Sequence, residues 1–94
     1  MRFEWDADKA AEVAAQRGIT LDDAIAVFFD ADAYEEFDED HSTTEERYRI
    51  IGLSAKGLLT VVYTVMQEGQ PDEVYRIITA WHATTSEEKR YEGK

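Results

Sequence analysis

Residues 47–66 read Arg-Tyr-Arg-Ile-Ile-Gly-Leu-Ser-Ala-Lys-Gly-Leu-Leu-Thr-Val-Val-Tyr-Thr-Val-Met, and residues 73–80 read Glu-Val-Tyr-Arg-Ile-Ile-Thr-Ala. Both stretches are dense in β-branched and aromatic side chains, which pack well on a pleated surface. Breaks at Ser54–Gly57 and at Glu68–Asp72, which carry glycine and proline, divide them into three strands, 47–53, 58–66 and 73–80. Two antiparallel hairpins follow. Upstream, residues 2–5 read as a short strand in which Trp5 serves as a packing anchor. Asp6 then caps a helix carrying Ala10, Ala11, Val13 and Ala14 that stops at Gly18. Thr20 with Asp23 resembles a capping box, and Leu21, Ala24, Ile25, Val27 and Phe28 have the spacing of an amphipathic helix ending near Asp30. The acidic segment from Ala33 to Glu46 predicts a loop with a short strand at 34–37. Thr84 with Glu87 is a second capping box, opening a short helix at 87–92. The expected fold is α+β in βααββββα order: a three- to four-stranded antiparallel sheet with helices packed on one face.

Ninety-four residues form one domain and exclude a multi-domain enzyme. A chain of this size buries only about 60–65% of its extended surface, so a partner protein or a second copy forming a homodimer has something to contribute. There is no cysteine, which rules out disulfides, thiolate nucleophiles and cysteine zinc sites, and makes a reducing cytoplasm the natural compartment. The longest apolar run, 58–66, is too short to span a bilayer, so no membrane role is expected. The residue pattern calls for no cofactor and no metal. The Asp38-Glu39-Asp40-His41 run lacks the glycine a calcium loop needs and reads as a solvated loop.

Charge is segregated. The chain carries 21 acids and 10 bases, a net of −11. Eleven acids and no lysine or arginine fall between Gly18 and Glu46; the remaining ten acids match the ten bases. An unpaired acidic face attracts basic surfaces and repels nucleic acid. A dense row of carboxylates also imitates the field of a phosphate backbone. Asp32, Glu35, Glu36, Asp38, Glu39, Asp40 and Glu45 are therefore candidates for binding a basic, nucleic-acid-binding partner, such as a host defence complex blocked by an anti-CRISPR type of inhibitor.

Phe3-Glu4-Trp5-Asp6 with Lys9, Gly18-Ile19-Thr20, Ala24, Val27-Phe28, Asp30, His41-Ser42, Glu46-Arg47, Ile51-Gly52, Arg76-Ile77-Ile78, Ala83-Thr84, Glu87 and Tyr91-Glu92 resemble the BrnT family. These are ribonuclease toxins of bacterial type II toxin–antitoxin operons. The resemblance covers nearly the full chain and implies a small α+β domain, RNA as substrate, metal-independent cleavage and a DNA-binding antitoxin as partner. Candidate catalytic residues on that reading are Arg47, Arg76, His82 and Tyr91, with Arg49 as a further cation. Arg47 and Arg76 are expected on neighbouring strands, where ion pairs with Glu46, Glu73 or Glu4 compete with phosphate binding. Several of the basic positions that the resemblance leads one to expect are replaced: Val13, Gln16 and Arg17 stand in the first helix, and Trp81-His82-Ala83-Thr84-Thr85-Ser86 follow the last strand. The expectation is an acidic binding protein without catalysis, with the endoribonuclease as the alternative.

Overall fold

A computed structural model describes residues 1–93. Its elements are β1 (Arg2–Trp5), α1 (Ala7–Arg17), α2 (Leu21–Phe28), β2 (Tyr34–Phe37), a 3₁₀ turn (Glu39–His41), β3 (Tyr48–Ser54), β4 (Gly57–Met66), β5 (Val74–His82) and α3 (Thr85–Gly93). Each helix start is written locally. Asp6 accepts from the Lys9 amide at 3.0 Å, and Thr20 and Asp23 form a reciprocal capping box at 3.2 and 3.0 Å. Gly18, at φ 70°, ends α1 in the left-handed conformation that glycine adopts without a Cβ clash. Lys56, in the β3–β4 turn, donates to Gly18 O at 2.8 Å and to Asp23 Oδ2 at 3.0 Å, tying the α1–α2 corner to the sheet.

The sheet has five strands in the order β1-β5-β4-β3-β2 and is mixed. The three- to four-stranded, wholly antiparallel sheet expected from sequence is corrected here: β1 pairs parallel to β5, with Glu4 opposite Arg76 and Trp5 opposite Ile77. Four β1 residues declare an extended segment, but their partners lie 72 residues away in sequence, and nothing local sets the edge or direction of that pairing. Arg47 precedes β3, and β4 separates β3 from β5, so Arg47 and Arg76 are not on neighbouring strands.

β4 alternates cleanly. Leu59, Val61 and Tyr63 join Val13, Ile19, Ala24, Val27, Ile50, Ile77 and Ala80 in the core under α1 and α2, with Trp5 packed at its margin. Thr60, Val62 and Thr64 face the other way and are equally buried. That opposite face is where α3 lies, so the three helices do not share one side as expected. Leu21, expected on the buried stripe of α2, is 39% exposed.

β3 approaches α2 so closely that position 52 has no room for a side chain: a Cβ on Gly52 would sit 2.9 Å from Val27 Cγ1 and 3.0 Å from Val27 O. One of the two is backbone and cannot rotate away. Gly52→Ala should therefore destabilise the protein by about 1–3 kcal/mol through overpacking, a drop of at least about 4 °C in Tm by thermal unfolding. Gly93→Ala, with nothing within 4 Å, serves as the neutral comparison.

Candidate functional site

The face opposite α1 and α2 carries the polar side chains. β2 ends at Phe37, and Asp38 turns the chain into the 3₁₀ turn with its carboxylate pointing inward, fully buried. Its Oδ2 lies 2.6 Å from His41 Nδ1, and its Oδ1 accepts the His41 amide at 3.4 Å. An i, i+3 spacing in a 3₁₀ turn places both residues on one side. Ser42 locks the turn: its hydroxyl donates to Asp38 O at 2.7 Å and accepts the Arg47 amide at 2.9 Å, while the Asp38 amide donates to Arg47 O at 2.9 Å. With Nδ1 donating to Asp38, Nε2 of His41 becomes the nitrogen that can accept a proton. The ring packs against Trp81, centroids 5.9 Å apart and planes inclined at 33°.

Arginines surround this pair. Glu36 Oε2 is 3.0 Å from Arg49, and Glu36 Oε1 is 2.9 Å from Arg90 on α3. Arg49 Nε also stands 3.9 Å from Asp38 Oδ1, and Arg47 Nε stands 3.8 Å from Glu45. Arg49 and Arg90 thus share the Glu36 carboxylate, and three arginines face three carboxylates here, Glu36, Asp38 and Glu45. The Nε atoms of Arg47, Arg49 and Arg90 are buried and make no well-formed hydrogen bond.

At the Nε1 edge of the Trp81 ring sits Glu87, only 4% exposed. It accepts from Thr60 Oγ1 at 2.8 Å, from Trp81 Nε1 at 3.0 Å and from the Thr84 amide at 2.8 Å, closing the α3 capping box read from sequence. Burial acts to raise its pKa, but the hydrogen bonds from Thr84, Thr60 and Trp81 outweigh it and hold the group below the ordinary 4.5.

The residues named from sequence do not assemble into one site. Arg76 lies beside Glu4, 3.5 Å apart, an ion pair foreseen as the competitor to phosphate binding. A bulge at Val62/Tyr63, where Ile78 is the extra residue, puts Arg76 opposite Thr64 and His82 opposite Leu59. These two candidates consequently fall on opposite faces of the sheet. His82 Nε2 meets Arg17 O at 3.2 Å on the helix side. Arg17 itself is spent on Ala80 O at 2.8 Å. Tyr91 donates to Asp30 Oδ2 at 2.7 Å, which pushes its pKa up to about 12 and commits its proton there.

The acidic candidates also divide. Glu36 and Asp38 are internal partners of arginine and histidine, not surface charges, and Glu35 accepts from Tyr63 on the helix side of the sheet. Asp32, Glu39, Asp40 and Glu45 are exposed. The buried Asp38–His41 pair, read from sequence as part of a solvated loop, is the arrangement that sequence reasoning missed. Its signal was the i, i+3 spacing. Among the described residues no group of three or more histidine, aspartate or glutamate side chains is arranged to hold a metal ion, and no helix is long and apolar enough to cross a membrane.

Residues 5–87 match the family model described as ribonuclease toxin, BrnT, of type II toxin–antitoxin system. The chain belongs to the BrnT family. No curated protein gives a significant match. In this BrnT-family chain the whole polar assembly, from Glu36 through Asp38, His41, Arg49 and Trp81 to Glu87, falls inside the matched residues, whereas Arg90 and Tyr91 lie beyond them.

Because the folded-state pKa of Glu87 is lowered, its carboxylate stabilises the fold above the unfolded value and loses that contribution as pH falls through the folded one. Asp23 acts in the same direction, lowered chiefly by the Thr20 backbone bond. Stability should fall as pH drops below about 5, and Glu87→Gln should flatten that fall while lowering Tm at pH 7. Thermal unfolding from pH 3 to 7 measures both.

Proposed function

We propose that the chain is an endoribonuclease of the toxin–antitoxin type, with His41 as its proton-transfer group and a DNA-binding antitoxin as its partner. The observation that carries the reading is the fully buried Asp38 carboxylate 2.6 Å from His41 Nδ1 on the face that also presents Arg49 and Arg90. Cleaving RNA without a metal needs a group that takes the proton of the 2′-hydroxyl, a proton for the departing 5′-oxygen, and cations for the charge gathering on the phosphate. His41 Nε2 takes the 2′-proton as the O2′–P bond forms, and the P–O5′ bond breaks with a proton returned to the leaving oxygen. Asp38 orients the ring and offsets the imidazolium charge. Arg49 and Arg90, sharing Glu36 between them, offer the phosphate their remaining N–H donors. Trp81 gives the neighbouring base a ring to stack on.

Purified protein should cleave RNA in the presence of EDTA. His41→Gln should lower the cleavage rate by about 10² to 10⁴-fold, the usual weight of general acid–base catalysis. His82→Gln, on the other face, should stay within about threefold, the scale of a surface change away from the chemistry. Cleavage that depends on His82 and ignores His41 would refute the assignment.

A second reading rests on the exposed acids Asp32, Glu39, Asp40 and Glu45, in a segment with no lysine or arginine. On it, this face meets a basic groove of a nucleic-acid-binding protein, a defence complex included. Affinity for such a partner should fall steeply between about 50 and 200 mM salt, since exposed charges are screened over about 8 Å at physiological ionic strength. Glu39→Lys with Asp40→Lys should abolish the binding while Tm holds within about 3 °C, as is usual for exposed positions. Salt-insensitive binding measured by titration calorimetry would sink this reading.

A further inference from the structure

The helix-covered face of the sheet is only partly covered. β4 has ten residues, about 33 Å of extended chain, whereas the eight residues of α2 span about 12 Å. Beyond Phe28 the β2–β5 strands therefore project without a helix above them. The exposed end forms a cavity of about 430 Å³ lined by Phe37, Tyr48, Tyr63, Val65 and Tyr75 together with Glu35, Glu36 and Glu68. That volume is in the range of small-ligand sites, about 300–1,000 Å³.

Its walls are rings in a continuous series. Phe37 meets Tyr48 at 5.9 Å, Tyr48 meets Tyr63 at 5.8 Å, and Tyr63 meets Tyr75 at 5.9 Å between centroids. Tyr48 and Tyr63 each donate their hydroxyl to a carboxylate, Glu46 at 2.9 Å and Glu35 respectively. A phenol held in this way gains negative character, which its ring face shares. Among the described residues no lysine or arginine lines the cavity. Glu36 is committed to Arg49 and Arg90 on the other side, but Glu35 and Glu68 have no cationic partner among the described residues. Burial, with these carboxylates second, raises the hydroxyl pKa values. Tyr63 is raised by burial and then by Glu35, Tyr75 by burial and then by Glu73, with Glu35 and Glu68 adding to the latter.

Aromatic faces beside unpaired carboxylates attract one chemistry. We propose that this cavity binds an organic cation, a guanidinium or alkylammonium group, held against the rings of Tyr48 and Tyr75 and neutralised by Glu35 and Glu68. The site lies on the face opposite His41 and is independent of the ribonuclease reading. A neutral group of equal shape would fill the same volume without gaining from the ring faces or the carboxylates. The cation comes either from a side chain of a basic partner protein or from a free small amine.

The test is a titration followed by tyrosine fluorescence and NMR, with N-acetylarginine amide against its uncharged isostere N-acetylcitrulline amide. The arginine compound should bind at least about tenfold more tightly, the order expected when cation–π and charge contacts are both lost. Glu35→Gln with Glu68→Gln should weaken arginine binding at least fivefold while leaving citrulline binding and RNA cleavage unchanged. Glutamine keeps an acceptor for the Tyr63 hydroxyl, and circular dichroism confirms folding. Glu39→Gln with Asp40→Gln, the same charge change on the other side, should leave binding within twofold. Equal binding of citrulline, or equal loss in the two double variants, would overturn the proposal, because shape or net charge alone would then account for the affinity. Tighter binding of a Gly-Arg-Gly-Arg peptide than of 1,4-diaminobutane supports a partner protein as the source, and the reverse order supports a free amine.

Discussion

Burying β4 on both faces is the constraint from which the rest of this small protein follows. Its odd-numbered residues Leu59, Val61 and Tyr63 need an apolar cover, which α1 and α2 supply through Val13, Ala24 and Val27. The even-numbered Thr60, Val62 and Thr64 need a cover that also satisfies hydroxyl groups. α3 and the segment leading into β3 supply that: Thr60 donates to Glu87, and Thr64 donates to Glu46 O at 2.8 Å. A strand apolar on one side and threonine-rich on the other thus produces one hydrocarbon core and one hydrogen-bonded layer. The polar side chains collect in the second.

The same division decides what the acidity does. A net charge of −11 suggests a surface property, yet several of the carboxylates are structural. Asp23 and Glu87 close helix caps, Glu36 holds two arginines, and Asp38 holds His41. Ionised carboxylates taken from water need partners, and each of these has one within 3.0 Å. Segregation by sequence position hid this. The arginines that meet Glu36 and Asp38 come from β3 and α3, outside the base-free segment. Once folded, the acidic third of the chain is partly neutralised from elsewhere.

Reading by pattern worked where the cause is local. Caps at Asp6, Thr20 and Thr84, the stop at Gly18 and the three long strands need only neighbours in sequence to form, and all are present in the structure. It worked less well where a side chain's role depends on which face it reaches. Arg76 and His82 are six residues apart, an even separation that places both on one face of a regular strand; the single bulge residue Ile78 sends them to opposite sides. Asp38 and His41 stood in a run of acids that resembled any solvated loop, and nothing in that run announces that Asp38 is wholly buried.

By itself the sequence determined an α+β fold, the order and approximate ends of its elements, and its kinship with BrnT, because caps, turns and hydrophobic alternation act over a few residues. Tertiary structure alone decided the parallel docking of β1 against β5, the passage of α3 to the far face, the burial of Asp38 under His41 and the uncovered aromatic end of the sheet. Each of those depends on contacts between segments distant in sequence, whose direction and register are set by packing and by the matching of buried charges once the chain has closed on itself.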